Sequence, residues 1–413
     1  MAKRRVVITG LGSLTSLGRD KDAFWTNACA GRSGVSTVSR FDTTGFEVRI
    51  AGWIPDFDPA PVVEPREARR IDRYAQFALV AADEAMRDSG LDMAREDPAR
   101  MGVIIGSGIG GLQEIEEQKA ILLQRGPDRV SPFLIPKMMA NSAGGLLGIR
   151  FGFRGPNSTV LTACASASHA VGDAYFNVAY GRADVIMTGG AEATITPLGL
   201  AGFIACKALS KRNDDPTHAS RPFDRERDGF VMGEGAGILL LEELERARAR
   251  GARIYAEVLG FGATCDAYHN TAPEPEGTGA AASMTCALRD AGLGPADVAY
   301  INAHGTSTPL NDAMETRAIK RALGDHARRV AISSTKSMIG HLLGASGGVE
   351  LVQTALTVER GIIPPTINYE FPDPDCDLDY VPNTAREARV PVAMCNSFGF
   401  GGHNASIIIG KLR

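Results

Sequence analysis

A cysteine between a predicted strand and a predicted helix has the clearest chemical potential in this sequence. Cys164 follows the apolar run 158–161 and precedes a segment of small residues, 165–168. Free backbone N–H groups and the helix dipole at such a junction stabilise a thiolate, so the pattern predicts a nucleophile accessible near neutral pH. The same N–H groups are suited to hold an oxyanion. The alternative is a buried cysteine that serves as a small apolar side chain.

Three further segments place polar side chains beside glycines at predicted strand ends: 302–308, 336–341 and 396–404. His304 precedes a glycine and His341 follows one. Side chains from separate strands can converge where the strands end, so both histidines are predicted to join a common site. Structural roles are expected instead for His218, His269 and His326.

The composition indicates a compact α/β protein. The chain has 413 residues, of which 44% are hydrophobic, and this length predicts two halves or two domains. A formal net charge of −4 gives no general attraction to nucleic acid or anionic membranes. The seven cysteines are scattered without a Cys-x-x-Cys pair, which argues against a disulfide framework and a zinc site and suits a reducing cytoplasm. No run of 18 apolar residues occurs, so a soluble protein is expected.

The order of predicted elements is duplicated along the chain. Predicted helices 73–89 and 279–291 are each followed by a Gly-Leu pair, as helix stops would be. Cys164 and Lys336 are predicted to occupy equivalent strand-to-helix junctions in the two copies. Each copy has the order β-α-β-α-β-α-β-β.

The duplication divides the chain into residues 1–252 and 253–413. Long insertions are expected in the first half, at about 110–143 and 199–230. The strands are apolar enough to be buried on both faces, so we expect an α/β fold of five layers, α/β/α/β/α, with two mixed five-stranded sheets.

These motifs resemble those of the β-ketoacyl-acyl-carrier-protein synthases of the elongating type, within the thiolase-fold superfamily. The resemblance rests on segments 162–166, 304–308, 336–341 and 396–402, which occur in the family's order and spacing over nearly the full length. One visible variation is His403, where many bacterial members carry threonine. That residue bears on the subclass and leaves the chemistry unchanged.

The resemblance implies two half-reactions without a cofactor or a metal. Cys164 would accept an acyl group, with the N–H groups of Cys164 and Phe400 as the oxyanion hole. His304 and His341 would stabilise the enolate formed when malonyl carrier protein loses carbon dioxide. Lys336 would organise the site through carboxylates such as Glu315, or it would form a plain buried ion pair.

The resemblance also implies how the substrate is held. Phe400 lies between glycines and would act as a gate over Cys164; a packed aromatic ring in a rigid turn is the alternative. Thr306 and Thr308 match residues that bind the phosphopantetheine arm. The acyl pocket, near a dimer interface, would be lined by Ile109, Phe133 and Phe230.

An acidic acyl carrier protein is the implied partner, and the chain is expected to be a homodimer in the cytoplasm. Because the net charge is negative, a local basic surface is needed. One cluster comprises Arg66, Arg69, Arg70 and Arg73, and a second comprises Lys207, Lys211 and Arg212. Without the resemblance, these charged residues would be assigned simply to solvent-exposed surface.

Other readings remain open at the level of sequence. A degradative thiolase shares the fold but pairs a second cysteine with one histidine, and Cys395 is the candidate here for that second cysteine. A polyketide ketosynthase subunit fits the same motifs. A non-enzymatic chain-length partner would have a degenerate nucleophile position, and Cys164 argues against it.

Overall fold

The computed structural model describes residues 3–413 and contains the following regular elements. The strands are β1 (Val6–Leu14), β2 (Ser36–Thr37), β3 (Ile50–Ala51), β4 (Met101–Gly106), β5 (Asn157–Val160), β6 (Val185–Glu192), β7 (Gly235–Glu243), β8 (Ala256–Cys265), β9 (Tyr300–Asn302), β10 (Ala331–Ser333), β11 (Ile362–Ile363), β12 (Arg386–Glu387), β13 (Val392–Gly399) and β14 (His403–Gly410). The helices are α1 (Lys21–Cys29), α2 (Pro65–Ala68), α3 (Arg73–Ser89), α4 (Leu112–Arg125), α5 (Leu134–Met138), α6 (Ser142–Phe151), α7 (Ser166–Ala179), α8 (Pro197–Ala205), α9 (Leu244–Ala249), α10 (Thr278–Ala291), α11 (Pro309–Leu323), α12 (Lys336–Ile339) and α13 (Ser346–Arg360).

Ten strands form one hydrogen-bonded sheet made of two equivalent mixed halves. The order is β5-β4-β6-β7-β1 in the first half and β8-β14-β13-β9-β10 in the second. In each half four strands run in the same direction, and one strand, β7 in the first half and β14 in the second, runs antiparallel to its two neighbours. The halves join where residues 6–8 of β1 pair with residues 256–258 of β8. The predicted pair of mixed five-stranded sheets is confirmed. The two sheets are joined by this short pairing between β1 and β8.

The helices complete the predicted five layers. α3 and α6 cover the outer face of the first half-sheet, while α10 and α11 lie outside the second. α7 and α13 pack against each other and contact strands of both halves, so they form the middle layer. Apolar side chains fill the spaces between the layers. We propose the division into 1–252 and 253–413 because the second copy of the element order begins with β8.

Local sequence explains the boundaries of the duplicated helices. Asp72 caps α3 by accepting a hydrogen bond from the backbone N–H of Tyr74. Gly90 and Gly292 end α3 and α10 in the left-handed conformation, each with φ of 63°. The predicted helices at 73–89 and 279–291 are therefore confirmed, the second with one additional residue at its start.

The predicted equivalence of Cys164 and Lys336 is wrong. Cys164 is the central residue of a 3₁₀ turn, Ala163–Ala165, that leads directly into α7. The matching turn before α13 is Leu343–Ala345, so the counterpart of Cys164 is Gly344. Lys336 belongs to α12, an additional turn of the second half that also carries the chain to His341.

Among residues 3–413, no helix combines the length and the apolar character needed to cross a membrane.

Candidate active site

A cavity of ≈ 670 Å³ opens where strand ends and loops of both halves meet. It brings together most of the residues singled out by sequence. Its lining includes Cys164, His304, His341, Phe400, Thr306, Thr308, Ile109, Phe230 and Lys207. The structure places the remaining predicted residues outside this lining: Lys336, Glu315, Phe133, Arg66, Arg69, Arg70, Arg73, Lys211 and Arg212.

Cys164 is buried in a tight turn that the second half closes. Ala163 adopts a φ of 50°, and the hydroxyl of Ser166 bridges the turn by accepting from Thr162 N–H and donating to the Ala163 carbonyl. A side chain at Gly399 would bring its Cβ within 3.1 Å of the backbone nitrogen of Cys164. Because position 399 lacks a side chain, the loop that carries Phe400 can lie directly against the nucleophile.

Burial raises the pKa of the Cys164 thiol to about 11. The backbone N–H of Phe400, the charge of Lys336 and the N–H of Cys164 itself act in the opposite direction, and they do not outweigh the loss of hydration. Burial therefore opposes the thiolate that the strand-to-helix junction predicts for the free enzyme.

His304 and His341 face each other across the cavity with their ring centroids 5.3 Å apart and their planes at 86°. Burial, followed by the positive charge of Lys336, holds the pKa of both imidazoles well below its usual value. Leu343 N–H donates to Nδ1 of His341, the Ser346 hydroxyl lies 2.9 Å from the same nitrogen and can donate to it as well, and the Lys336 ammonium lies 3.4 Å from Nδ1 of His304. Since Nδ1 accepts in both rings, each neutral imidazole carries its proton on Nε2 and can donate it.

Lys336 pairs with Glu350, which corrects the expected partner Glu315. Its ammonium hydrogen-bonds to Glu350, and both side chains are almost completely buried. Glu315 instead accepts the backbone N–H groups of His304 and Gly305 at 2.8 and 2.7 Å. Burial raises the pKa of Glu315 to about 7. Glu350 therefore neutralises Lys336, while Glu315 holds the backbone that presents His304.

Phe400 lies in the turn between β13 and β14, which is linked to a neighbouring loop. Gly401 N–H donates to the Asn270 carbonyl at 2.7 Å, and Asp266 N–H donates to the Gly402 carbonyl at 2.9 Å. Gly401 has a φ of 82° and Gly402 one of 73°, in the left-handed region that favours glycine. The two glycines allow the turn to reverse direction directly after Phe400.

The remaining lining residues include both polar and apolar side chains. The hydroxyls of Thr306 and Thr308 lie 2.9 Å apart, and Thr308 also caps α11 through Asn311 N–H. The ring of Phe230 packs edge-on against His341 with centroids 5.4 Å apart.

Comparison with known proteins assigns the chain to a family. The model described as beta-ketoacyl synthase, N-terminal domain, matches residues 3–247, and the corresponding C-terminal domain matches residues 255–370. The chain belongs to the β-ketoacyl synthase family. A relative from Synechocystis sp., named 3-oxoacyl-(acyl-carrier-protein) synthase 2, is 54% identical over 411 residues and is covered to 99%, with 100% of this chain aligned.

Solved structures agree with this membership. The ishigamide ketosynthase/chain length factor superposes on this β-ketoacyl synthase with a TM-score of 0.94 at 38% identity, covering 100% of both chains. A type II polyketide synthase acyl-carrier protein in complex with its ketosynthase bound to the hexaketide gives a TM-score of 0.91 at 37% identity. That match covers 99% of this chain and 100% of the other.

The first basic cluster of the synthase is smaller than expected. Arg66, Arg69 and Arg70 are exposed on α2 and the turn that follows it. The Arg70 guanidinium stacks over the ring of Phe133, 5.0 Å from its centroid. Arg73 does not belong to this surface, because it pairs at 2.9 Å with the buried carboxylate of Glu234.

The second basic cluster of the synthase reduces to Lys207. Lys211 pairs with Glu47, and Arg212 lies 3.6 Å from Glu226, so acidic neighbours offset both charges. Lys207 is exposed and lines the same cavity as Cys164.

Sequence reasoning missed Glu350 and Glu192. Glu350 lies in α13 and Glu192 at the end of β6, and both carboxylates are buried. The Gly-Gly-Ala-Glu order at 189–192 was the available signal for Glu192, since a glutamate that ends an apolar strand requires buried donors.

Proposed function

We propose that the protein catalyses the decarboxylative condensation of malonyl-acyl carrier protein with an acyl chain held on Cys164. The product is a β-ketoacyl-acyl carrier protein, and the reaction belongs to fatty acid elongation. One observation carries the proposal: a single cavity joins Cys164 to two neutral imidazoles whose Nε2–H groups are free to donate. The 54% identity to 3-oxoacyl-(acyl-carrier-protein) synthase 2 supports it over the full length.

The first half-reaction transfers the acyl group to Cys164. The thiol loses its proton as Sγ attacks the thioester carbonyl, and the carrier-protein thiol leaves and takes up a proton. The N–H groups of Cys164 and Phe400 hold the carbonyl oxygen as it becomes negative. Both N–H groups favour negative charge at Sγ, which supports their placement around the reacting centre.

The second half-reaction uses the two histidines. Malonyl carrier protein loses carbon dioxide, and the electron pair of the broken C–C bond forms an enolate. Nε2–H groups of His304 and His341 donate to the enolate oxygen, and the low pKa of both rings keeps them neutral donors. The enolate carbon attacks the acyl carbonyl, and the Cys164 sulfur leaves. The Lys336 ammonium, 3.4 Å from Nδ1 of His304, keeps the proton of that ring on Nε2.

Two alternative functions receive less support. A thiolase would need a second cysteine beside the reacting atoms, and the candidate Cys395 is fully buried in β13 and lies outside the cavity lining. Cys206 does line the cavity, but it is exposed at the end of α8 and does not belong to the 396–404 loop where a thiolase would carry that cysteine. Burial also raises the pKa of Cys395 well above its usual value. A polyketide role has weaker support because the ketosynthase from the type II polyketide synthase complex is 37% identical, against 54% for the relative from Synechocystis.

We infer that an acidic acyl carrier protein docks on Arg66, Arg69, Arg70 and Lys207. The three arginines project from α2 and its following turn, and Lys207 lies at the cavity. Positive charge at these points would steer an acidic partner toward the route to Cys164. The complex of an acyl-carrier protein with its ketosynthase, 37% identical to this chain, supports this kind of partner.

We further propose a homodimer formed at the β5 edge. Within residues 3–413, β5 pairs with β4 on one side and its other edge has no strand partner. Several large apolar side chains are exposed on segments 115–161: Ile115, Leu122, Leu123, Phe133, Ile135, Met139, Ile149 and Leu161. A second copy would cover both the edge and this apolar surface. Ile149→Asp should lower the molecular mass measured by light scattering, whereas Leu412→Asp should not.

We also place the protein in the cytoplasm. All seven cysteines are free thiols in the described structure, which supports a reducing compartment.

Mass spectrometry tests the proposed function. Wild-type protein incubated with acyl carrier proteins of graded acyl length should gain an acyl adduct on Cys164, and malonyl carrier protein should then convert it to β-ketoacyl product. Cys164→Ala should form neither. Cys286→Ala is the matched control, because Cys286 lies on α10 outside the cavity lining. An adduct on Cys206 or Cys395 with Cys164 unmodified would overturn the assignment.

A further inference from the structure

The carboxylate of Glu192 is completely buried at the end of β6 and accepts hydrogen bonds from four residues. Oε1 accepts from the Ser107 hydroxyl at 3.2 Å and from Ile109 N–H at 3.3 Å. Oε2 accepts from Gly108 N–H at 2.6 Å and from Gly344 N–H at 3.1 Å. Four donors around one carboxylate make a fully formed site rather than an incidental contact.

These donors belong to the two halves of the enzyme. Ser107, Gly108 and Ile109 follow β4 in the first half, and Gly108 and Ile109 line the cavity. Gly344 lies in the 3₁₀ turn of the second half, next to Leu343. Nδ1 of His341 has two neighbours in this segment: Leu343 N–H donates to it at 3.3 Å, and the hydroxyl of Ser346, which follows the turn directly, lies 2.9 Å from it. Glu192 therefore connects the cavity wall at Ile109 to the turn that sets the His341 tautomer.

The connection leaves no free space for adjustment. A Cβ at Gly108 would lie 2.8 Å from Oε2 of Glu192. At Gly344, a Cβ would collide with the backbone nitrogen of Gly108 and approach Oε2 to 2.7 Å. Position 344 therefore requires glycine, a Cβ at position 108 would displace the Glu192 carboxylate, and a shift of one segment must move the carboxylate or the other segment.

We propose that Glu192 is a positioning residue of the condensation reaction. It fixes the Ile109 wall, which meets the acyl chain, relative to the Gly344 turn, which orients His341. Acyl-length selection and malonyl decarboxylation thus depend on one buried carboxylate. This inference rests on the proposed function and adds a residue that contacts no reacting atom. Burial raises the pKa of Glu192 to about 7, so its donors are needed to keep the charged form populated at neutral pH.

Two substitutions separate the two connections. In Glu192→Gln, the amide oxygen at the Oε2 position keeps Gly108 and Gly344, while the amide NH₂ takes the Oε1 position. There the Ser107 hydroxyl can reverse and accept, but Ile109 N–H loses its acceptor. We expect E192Q to change the profile of acyl lengths loaded on Cys164 and to keep malonyl decarboxylation within about threefold of wild type.

Glu192→Ala removes every acceptor, so both functions should change. Misplacing His341 should lower kcat for malonyl decarboxylation by on the order of tenfold to a hundredfold, with a smaller effect on KM. The matched control is Glu84→Gln. Glu84 also accepts two backbone N–H groups, from Ser13 and Lys21 at 2.9 Å each, and its burial likewise raises its pKa to about 7, but it lies outside the cavity lining.

Full-length variants are compared by acyl loading, by carbon dioxide release from malonyl carrier protein and by thermal melting. E84Q should lower the melting temperature without changing the acyl-length profile. The proposal is overturned if E192Q keeps the wild-type length profile, or if folded E192A decarboxylates at the wild-type rate. E192Q retains three of the four contacts, so its length profile decides the question even if E192A fails to fold. Failure of the wild type itself to decarboxylate would overturn the proposed function instead.

Discussion

The ammonium group of Lys336 lies 3.4 Å from Nδ1 of His304 and is paired on its other side with the buried carboxylate of Glu350. An ammonium group only donates hydrogen bonds, so this contact fixes the His304 proton on Nε2. The same positive charge, together with the larger effect of burial, holds the pKa of His304 well below its usual value. Lys336 thus acts on the reaction through His304 without lining the cavity.

Replacing Lys336 with methionine should make decarboxylation more sensitive to acid. Loss of the charge raises the pKa of His304, so the ring becomes protonated at a higher pH and the acid limb of the pH–rate profile moves upward. Unpaired Glu350 should also destabilise the fold by about 3–5 kcal/mol. Lys336→Met/Glu350→Gln should recover most of the stability but keep the shifted profile. An acid limb unchanged in both variants would contradict this role.

His304→Ala and His341→Ala should separate the half-reactions. Each variant should still accept an acyl group on Cys164, because neither ring is assigned as the base for the thiol. Each should lose malonyl decarboxylation by on the order of a hundredfold or more, since one donor to the enolate oxygen is missing. His218→Ala serves as the control, because that ring is exposed and pairs with Asp215. Normal decarboxylation with failed acylation would reverse the assignments.

Alkylation of Cys164 should depend steeply on pH. With a pKa of about 11, the thiol is mostly protonated at pH 7, and the thiolate fraction rises about tenfold per pH unit up to about pH 10. The rate of iodoacetamide modification at Cys164, followed by peptide mass spectrometry, should rise accordingly. In denaturant the rate should level off near the ordinary cysteine pKa of about 8.5. If the modification rate in the folded protein levelled off below pH 8, the start of α7 would lower the pKa of Cys164 by more than burial raises it.

Phe400→Ala should disturb acyl loading more than folding. The ring is half-buried and lines the cavity, and the glycines on both sides let the turn rearrange. Loading rates and acyl-length preference should change, while the melting temperature moves little. Phe371→Ala, at a half-exposed ring beside Arg221, is the matched control. Crystal structures of free and acylated enzyme with the same packed Phe400 position would favour the rigid-turn reading.

Reversing charge at Arg69 and Arg70 should weaken the use of acyl carrier protein and flatten its dependence on salt. Attraction between exposed charges is screened over about 10 Å at 0.1 M salt, so the loss should be largest at low ionic strength. Small pantetheine thioesters should react as before. Arg87→Glu/Arg95→Glu is the control, since both arginines are exposed elsewhere on the first half. Equal losses for both donors would mean that Arg69 and Arg70 support the fold or the active site.

The fold could be predicted from the sequence because the signals that define its helices and strands are local. Gly90 marks the end of α3 by its left-handed backbone conformation, and the apolar strands repeat in the same order in both halves. The correspondence between Cys164 and Lys336 failed for the opposite reason. Alignment from the strand end reaches Lys336, whereas alignment from the helix start reaches Gly344, and only the structure shows the additional turn between them.

Charges were harder to place because their partners are distant in sequence. Arg73 looks like its neighbours Arg69 and Arg70, yet Glu234 holds it in the interior. Glu315 and Glu350 both lie on helices of the second half, and their three-dimensional positions alone decide which one meets Lys336. The pKa of Cys164 likewise depends on burial by the second half, which a helix-start argument leaves out.

The meeting of the two half-sheets at residues 6–8 and 256–258 has a consequence for the order of events on the ribosome. Cys164 is synthesised long before His304, His341 and the Gly399 loop that covers its turn. During translation the nucleophile therefore exists without its enclosure, as an ordinary thiol on a nascent chain. Only when the last two strands, β13 and β14, take their places does the turn around Cys164 become shielded from water. Chemical competence is thus one of the final properties that the growing polypeptide acquires.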